Sequence, residues 1–438
     1  MRTQQFQRRV HTISSGFILL VCSLLLFLSS CASVSGSTAA TSSTPTTPIT
    51  PTTPTSTVPF ASLPGIPKAD GKNAQTEAIS RTDLEKNQAI LAKISTIMDS
   101  MSLDQKLGQL LLVGYQGNDY KASGLQYMIT QQFVGGYMYQ ESNHNFDAPY
   151  DVINRINAFS QQAMSDARIP LMIGTDLEGG SVNRLRRFHG YLPSATEMGA
   201  TGDPRFALAQ GTQDAHWMRE LGLNTDFAPV VDVQTVNPPP SVLSNRMFGR
   251  DPQTVATYAG AFLDGLQKNG VVGCLKHFPG LGAITSDPHT GLPIVTRSMA
   301  NLENIDLAPY RILIQKNHPA MIMPTDVLMP AIDPTLPAEL SPRAITGILR
   351  GQLGYNGVIF TDSLHMGGIS QTWTIGQAAV LAIIAGDDMI EGPFTVSEVA
   401  SALSALKQAV VQRKLTVNRI DQSVERILLL KMQYHIFK

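Results

Sequence analysis

Between Leu110 and Ile390 this chain repeats one pattern eight times, a short apolar run followed by a longer helix-like segment. The runs are Leu110–Tyr115, Gly135–Tyr139, Pro170–Asp176, Asn224–Val233, Val271–His277, Ala320–Asp326, Gly357–Asp362 and Ala385–Ile390. Runs such as Val271-Val272-Gly273-Cys274-Leu275 are continuously apolar, as expected of parallel strands buried on both faces. Intervening segments such as Pro204–Leu221, Pro252–Asn269, Leu302–Lys316 and Pro342–Leu353 read as helices. Several have Pro at or near the start and Gly or Asn near the end, the usual helix punctuation. Alternating strand and helix predicts an α/β fold with a parallel sheet. Eight repeats over about 310 residues predict closure into a (β/α)8 TIM-like barrel rather than a doubly wound sheet. After Ile390 the sequence predicts only two more helices, Val396–Arg413 and Val417–Tyr434, too short for a second α/β domain.

Parallel barrels present their chemistry at the C-terminal ends of their strands, and the fifth run ends in Lys276-His277. Pro279, Gly280 and Gly282 then interrupt regular structure, so Asp287 and His289 are expected on a loop over the same face. If that loop bends locally, the Asp287 carboxylate holds one imidazole nitrogen of His289 and raises the basicity of the other, which suits proton transfer.

The stretch Lys276-His277-Phe278-Pro279-Gly280-Leu281-Gly282 with Asp287-Pro288-His289 resembles the signature of glycoside hydrolase family 3, in its single-domain bacterial β-N-acetylglucosaminidase (β-hexosaminidase) branch. It departs from the family pattern at Leu281, usually His, and at Pro288, usually Ser; both proton-transfer groups are retained. A second family stretch is resembled by Gly357-Val358-Ile359-Phe360-Thr361-Asp362-Ser363-Leu364-His365-Met366. The resemblance covers about residues 86–435 and implies the same barrel. It makes Asp362 the nucleophile, His289 the general acid and base, and Asp287 the residue that holds His289.

Asp176-Leu177-Glu178-Gly179-Gly180-Ser181-Val182-Asn183-Arg184 and Ser244-Asn245-Arg246-Met247-Phe248-Gly249-Arg250 resemble two further family motifs. These imply that Asp176, Arg184 and Arg246 bind the terminal sugar, together with Lys276 and His277. Carboxylates and guanidiniums suit sugar hydroxyls and amide oxygens through charge-assisted hydrogen bonds. Glu178 and Asp232 are expected to support them from behind, and Gly179-Gly180 to permit a tight turn after the third strand.

The implied activity is that of a retaining exo-β-N-acetylhexosaminidase acting on terminal β-linked GlcNAc from peptidoglycan or chitin. A β-glucosidase or β-N-acetylglucosaminide phosphorylase on the same barrel is the alternative. A surface sugar-binding lipoprotein with a decayed site fits poorly with intact Asp287, His289 and Asp362. No metal site and no cofactor are expected, because the His and Cys spacing matches no zinc motif and no phosphate or dinucleotide loop is present.

With a formal net charge of −1 and 15% charged residues, nucleic acid is not an expected partner; a small saccharide is, and the chain is expected to act as a monomer. At the N-terminus, Arg2, Arg8 and Arg9 precede the apolar run from Phe17 to Leu28, which reads as an export signal. Leu28-Ser29-Ser30-Cys31 resembles a bacterial lipobox, implying lipidation of Cys31 and an exported lipoprotein held on the membrane, facing away from the cytoplasm. The expected organisation is a lipoprotein signal peptide over 1–30, a disordered Ser/Thr/Pro-rich linker with an irregular lead-in over 31–82, and the catalytic barrel over 83–438. With Cys22 in the signal and Cys31 lipidated, Cys274 would stand alone in a buried strand, so no disulfide is expected.

Overall fold

The computed structural model describes residues 81–147 and 151–437; Cys31, the signal segment and the linker up to residue 80 lie outside the described residues. Eight strands form the barrel: β1 (Leu111–Val113), β2 (Gly136–Met138), β3 (Met172–Thr175), β4 (Thr225–Asp226), β5 (Val272–Phe278), β6 (Met321–Pro324), β7 (Val358–Ser363) and β8 (Met389–Glu391). Each pairs in parallel with its neighbour, and β8 returns to β1 through Leu111 opposite Ile390, so the sheet closes. A closed sheet has no exposed edge, and its ring of helices supplies the apolar cover that parallel strands require.

All eight strands fall on the eight apolar runs, although the hydrogen-bonded ladders are mostly shorter. β4 shows why. Its run continues apolar to Val233, but Pro229 has no N–H to donate, and beyond Asp226 the chain follows β5 through the Cys274 N–H to Ala228 carbonyl bond and an isolated bridge between Val230 and Lys276 rather than a continuous ladder. The barrel interior is packed rather than hollow, with Phe227 and Phe360 stacked at 5.1 Å between ring centres. Cys274 is buried in β5 and unpaired.

Helix Pro204–Glu220 begins where the Asp203 side chain accepts the N–H of Arg205, and Pro204 fills a first-turn position that needs no donor. Helix Pro252–Lys268 begins in the same way, with Asp251 accepting from Thr254. The expected helix over 302–316 is divided. Leu302–Asp306 is wound with i→i+5 hydrogen bonds and the α-helix Ala308–Lys316 follows, with Pro309 in its first turn. Arg343–Gln352 is also wound i→i+5, where an ordinary helix was expected. Thr395 and Thr416 cap the final helices, Val396–Val411 and Val417–Gln433. The first helix, Arg81–Asp99, starts two residues inside the expected lead-in and packs against Val417–Gln433.

Candidate active site

The C-terminal ends of the strands open into a cleft of about 550 Å³ whose walls include Asp176, Arg184, Arg246, Lys276, His277, His289 and Asp362. Asp287 stands behind this wall and reaches the cleft through His289. Residues separated by nearly two hundred positions in sequence therefore converge on one space.

β3 delivers Asp176, and the chain then folds into a small antiparallel hairpin in which Leu177 pairs with Asn183 and Gly179 with Val182. Gly179 and Gly180 have φ of +81° and +56°, left-handed values that favour glycine, so the expected tight turn is present. The hairpin is pinned from below where Asp226 Oδ1 accepts the N–H of Leu177 at 2.9 Å. This geometry places Glu178 inward. It grips Arg246 through both oxygens, at 2.7 and 2.8 Å, and Lys276 Nζ lies 2.7 Å from Glu178 and 2.7 Å from Asp176. Burial alone would raise the Glu178 carboxyl, but Arg246 and Lys276 more than offset it and hold that carboxyl far below the usual range. Against the same burial, Asp176 and Glu178 keep Lys276 more basic than an ordinary lysine.

Consecutive residues of a regular strand point to opposite faces, yet Lys276 and His277 both line the cleft. The ladder between β5 and β6 shifts register between Lys276 and Phe278, an irregularity that re-aims side chains next to a site. His277 Nδ1 donates to Asp232 Oδ2 at 2.7 Å, and Arg246 Nη2 lies 3.3 Å from Nε2. Those contacts fit the tautomer that carries its proton on Nδ1. Asp232 also accepts the N–H of Leu281 at 2.7 Å, so the backbone at this departure from the family motif supports the histidine while the Leu281 side chain is buried. Arg184 has a buried Nε with no protein partner, a donor available to a ligand in the cleft.

His289 Nδ1 lies 2.7 Å from Asp287 Oδ1, and its backbone N–H donates to the same oxygen at 2.9 Å. Slight burial works to raise the Asp287 carboxyl, but the two hydrogen bonds from His289 outweigh it and the net shift is downward. The His289 side chain is 60% exposed at the cleft. Pro288 is buried and accepts from the N–H of Gly368 at 3.3 Å, which ties the dyad loop to the chain following β7. At the end of β7, Asp362 Oδ2 accepts from Thr325 Oγ1 at 2.8 Å and Oδ1 from the N–H of Ser363 at 2.8 Å.

Several cleft residues were not foreseen. Glu391 ends β8 and lines the cleft, one residue past the expected run. His365 and Phe394 stack at 4.7 Å on its wall. Thr325 and Asp326, polar at the end of the sixth run, are fully buried behind the cleft next to Asp362, and that position was their only signal in the sequence.

Residues 102–430 match the glycosyl hydrolase family 3 N-terminal domain. The chain is 34% identical over 338 residues to beta-hexosaminidase LpqI of Mycobacterium tuberculosis, covering 76% of this chain and 83% of that one. Its structure is similar to a family 3 beta-N-acetylglucosaminidase from Paenibacillus sp. str. FPU-7, with a TM-score of 0.73 and 35% identity over 77% of this chain and 63% of the other. It is also similar to the beta-glucoside phosphorylase BglX, with a TM-score of 0.69 and 27% identity over 80% and 62% of the two chains. A closed barrel, a family match spanning most of the described residues and relatives of this similarity lead to one conclusion: the chain belongs to glycosyl hydrolase family 3 and is a glycoside hydrolase.

Proposed function

We propose that the protein is a retaining exo-β-N-acetylhexosaminidase that releases terminal β-linked GlcNAc from saccharides derived from peptidoglycan or chitin. The observation that carries this reading is the meeting of Asp362 and the Asp287–His289 dyad at one cleft with the Asp176, Lys276 and Arg184 side chains. The terminal sugar sits among Asp176, Arg184, Arg246, Lys276 and His277. Asp362 attacks the anomeric carbon as the bond to the leaving oxygen breaks, and the proton from His289 goes to that oxygen. Water then attacks the glycosyl-enzyme, gives its proton back to His289 and releases Asp362 with free sugar. Asp287 holds the imidazole in orientation throughout.

Hydrolysis of GlcNAc glycosides is supported by the names of the mycobacterial and Paenibacillus relatives, and phosphorolysis is the second reading because of the likeness to BglX. The N-terminal pattern ending at Cys31 supports an exported, lipid-anchored protein facing away from the cytoplasm, and we propose that it acts as a monomer on small saccharides. The deciding comparison is kcat/KM for aryl β-GlcNAc against aryl β-glucoside, with and without phosphate. A site built around the N-acetyl group discriminates strongly, by as much as ~10⁴-fold. Preference for GlcNAc with free sugar released in both buffers is expected. Preference for glucoside would make the protein a β-glucosidase, and sugar 1-phosphate as the main product would make it a phosphorylase.

A further inference from the structure

Behind Asp362 lies a second acid that the mechanism above does not use. Asp326 follows β6 and is fully buried; its Oδ2 has no hydrogen-bond partner, and its Oδ1 lies 3.4 Å from Thr325 Oγ1. The same Thr325 oxygen lies 2.8 Å from Asp362 Oδ2. Glu339, whose backbone N–H bonds the Thr325 carbonyl, is also fully buried, and neither of its carboxyl oxygens has a partner. The charged group that acts on Asp326 is Asp362 at the end of β7, and those that act on Glu339 are Asp326, Asp362, Asp387 and Glu391 at the end of β8, all of them acids.

A hydroxyl has one proton to give and can accept in return. Thr325 faces two carboxyl oxygens, so if its proton goes to Asp362, an ionised Asp326 would set a second bare anion against the hydroxyl oxygen. Buried acids without a cation resolve that conflict by keeping a proton. Asp362 accepts two hydrogen bonds at 2.8 Å, whereas at Asp326 the Thr325 contact is 3.4 Å, Oδ2 has no hydrogen-bond partner and the backbone N–H groups of Gly368 and Asp326 only partly offset burial, so Asp362 is the charged member and Asp326 the acid.

We propose that Asp326 works as a carboxylic acid whose O–H donates to Thr325 Oγ1, so that the Thr325 hydroxyl is committed to donating to Asp362 Oδ2 and fixes the direction of the nucleophile. Asp326 is then a positioning residue acting through Thr325. When Asp326 loses its proton, Thr325 turns towards the new charge and Asp362 loses its donor. Burial and the neighbouring Asp362 push the Asp326 carboxyl up to about 9, so the chain of donors is intact at neutral pH and breaks in alkali. This inference rests on the assignment of Asp362 as nucleophile.

The test uses the full chain and an activated aryl β-GlcNAc glycoside, whose departure needs little help from His289. Asn at position 326 can still donate to Thr325 and never ionises, whereas Ala cannot donate. Asp326→Ala should therefore lose about 10-fold or more in kcat/KM relative to Asp326→Asn. The wild-type alkaline fall, centred near about 9, should vanish in Asp326→Asn. Thr325→Val should behave like Asp326→Ala and be rescued by Thr325→Ser, a smaller change that keeps the comparison available if Asp326→Ala does not fold. Infrared difference spectra at neutral pH should show one protonated-carboxyl band lost in Asp326→Asn. Equal losses in the Asn and Ala variants, an unchanged alkaline limb, or no lost band would overturn the proposal. The infrared reading needs no turnover, so failure on every GlcNAc glycoside would sink the proposed function and leave the protonation of Asp326 separately measured.

Discussion

Glu178 holds Arg246 with both carboxylate oxygens and shares Oε1 with Lys276 Nζ at 2.7 Å, so one buried anion sets the positions of two cations that line the cleft. Breaking such a pair leaves buried charge uncompensated. Glu178→Gln is expected to cost roughly 3–5 kcal/mol in denaturant unfolding and to raise KM. The folded carboxyl is held below its unfolded value of about 4.3, so its contribution is complete above that pH and is lost as pH falls through the folded value. The wild type should therefore lose stability more steeply than Glu178→Gln below about pH 4; parallel curves would remove Glu178 from this role.

Asp362→Asn should abolish turnover, by ~10⁴-fold or more, while unfolding changes little because the side chain is partly exposed to the cleft. A 2-fluoro glycosyl donor should trap a peptide containing Asp362, and label on any other residue would remove it as nucleophile.

His289→Ala should slow substrates with poor leaving groups by about 10²–10⁴-fold and activated aryl glycosides far less, since only the former need strong protonation of the departing oxygen. Asp287→Ala should give the same pattern more weakly, because it leaves the imidazole unoriented. Equal losses on both substrate types would reduce His289 to a holder of the loop.

Lys431 is buried, with Nζ donating to Gln109 Oε1 at 2.8 Å and to the Gly135 carbonyl at 2.9 Å. Desolvation pulls it down to about 7, below its unfolded value of about 10.4. Between those values the unfolded chain binds the extra proton, so this residue makes stability rise with pH from about 7 upward. Lys431→Met should flatten that rise in urea unfolding between neutral pH and pH 10; an unchanged slope would show that Lys431 keeps its proton.

If Cys31 is acylated, the protein should partition with membranes and take up labelled fatty acid, and Cys31→Ser should do neither. A mature N-terminal peptide that retains Met1 would point to an uncleaved signal anchor.

The alternation of apolar runs and capped helices was legible because strand burial and helix termination are written in nearby residues. Asp203 before Pro204 and Asp251 before Pro252 show this directly. The strand ends were legible too, and Lys276, His277, His289 and Asp362 all line the cleft at the C-terminal ends of the strands. The i→i+5 winding of Arg343–Gln352 was not, since its apolar spacing reads like that of an ordinary helix.

Tertiary structure alone decided the partnerships. Asp176 meets Lys276 across 100 positions and Asp232 meets His277 across 45, and no local pattern specifies which acid finds which cation. It also decided which ionisable groups lose contact with water. Asp326, Glu339 and Lys431 read in sequence as ordinary charged residues. Burial by distant strands and helices changes the free energy of their protons, alone at Lys431 and together with neighbouring acids at Asp326 and Glu339.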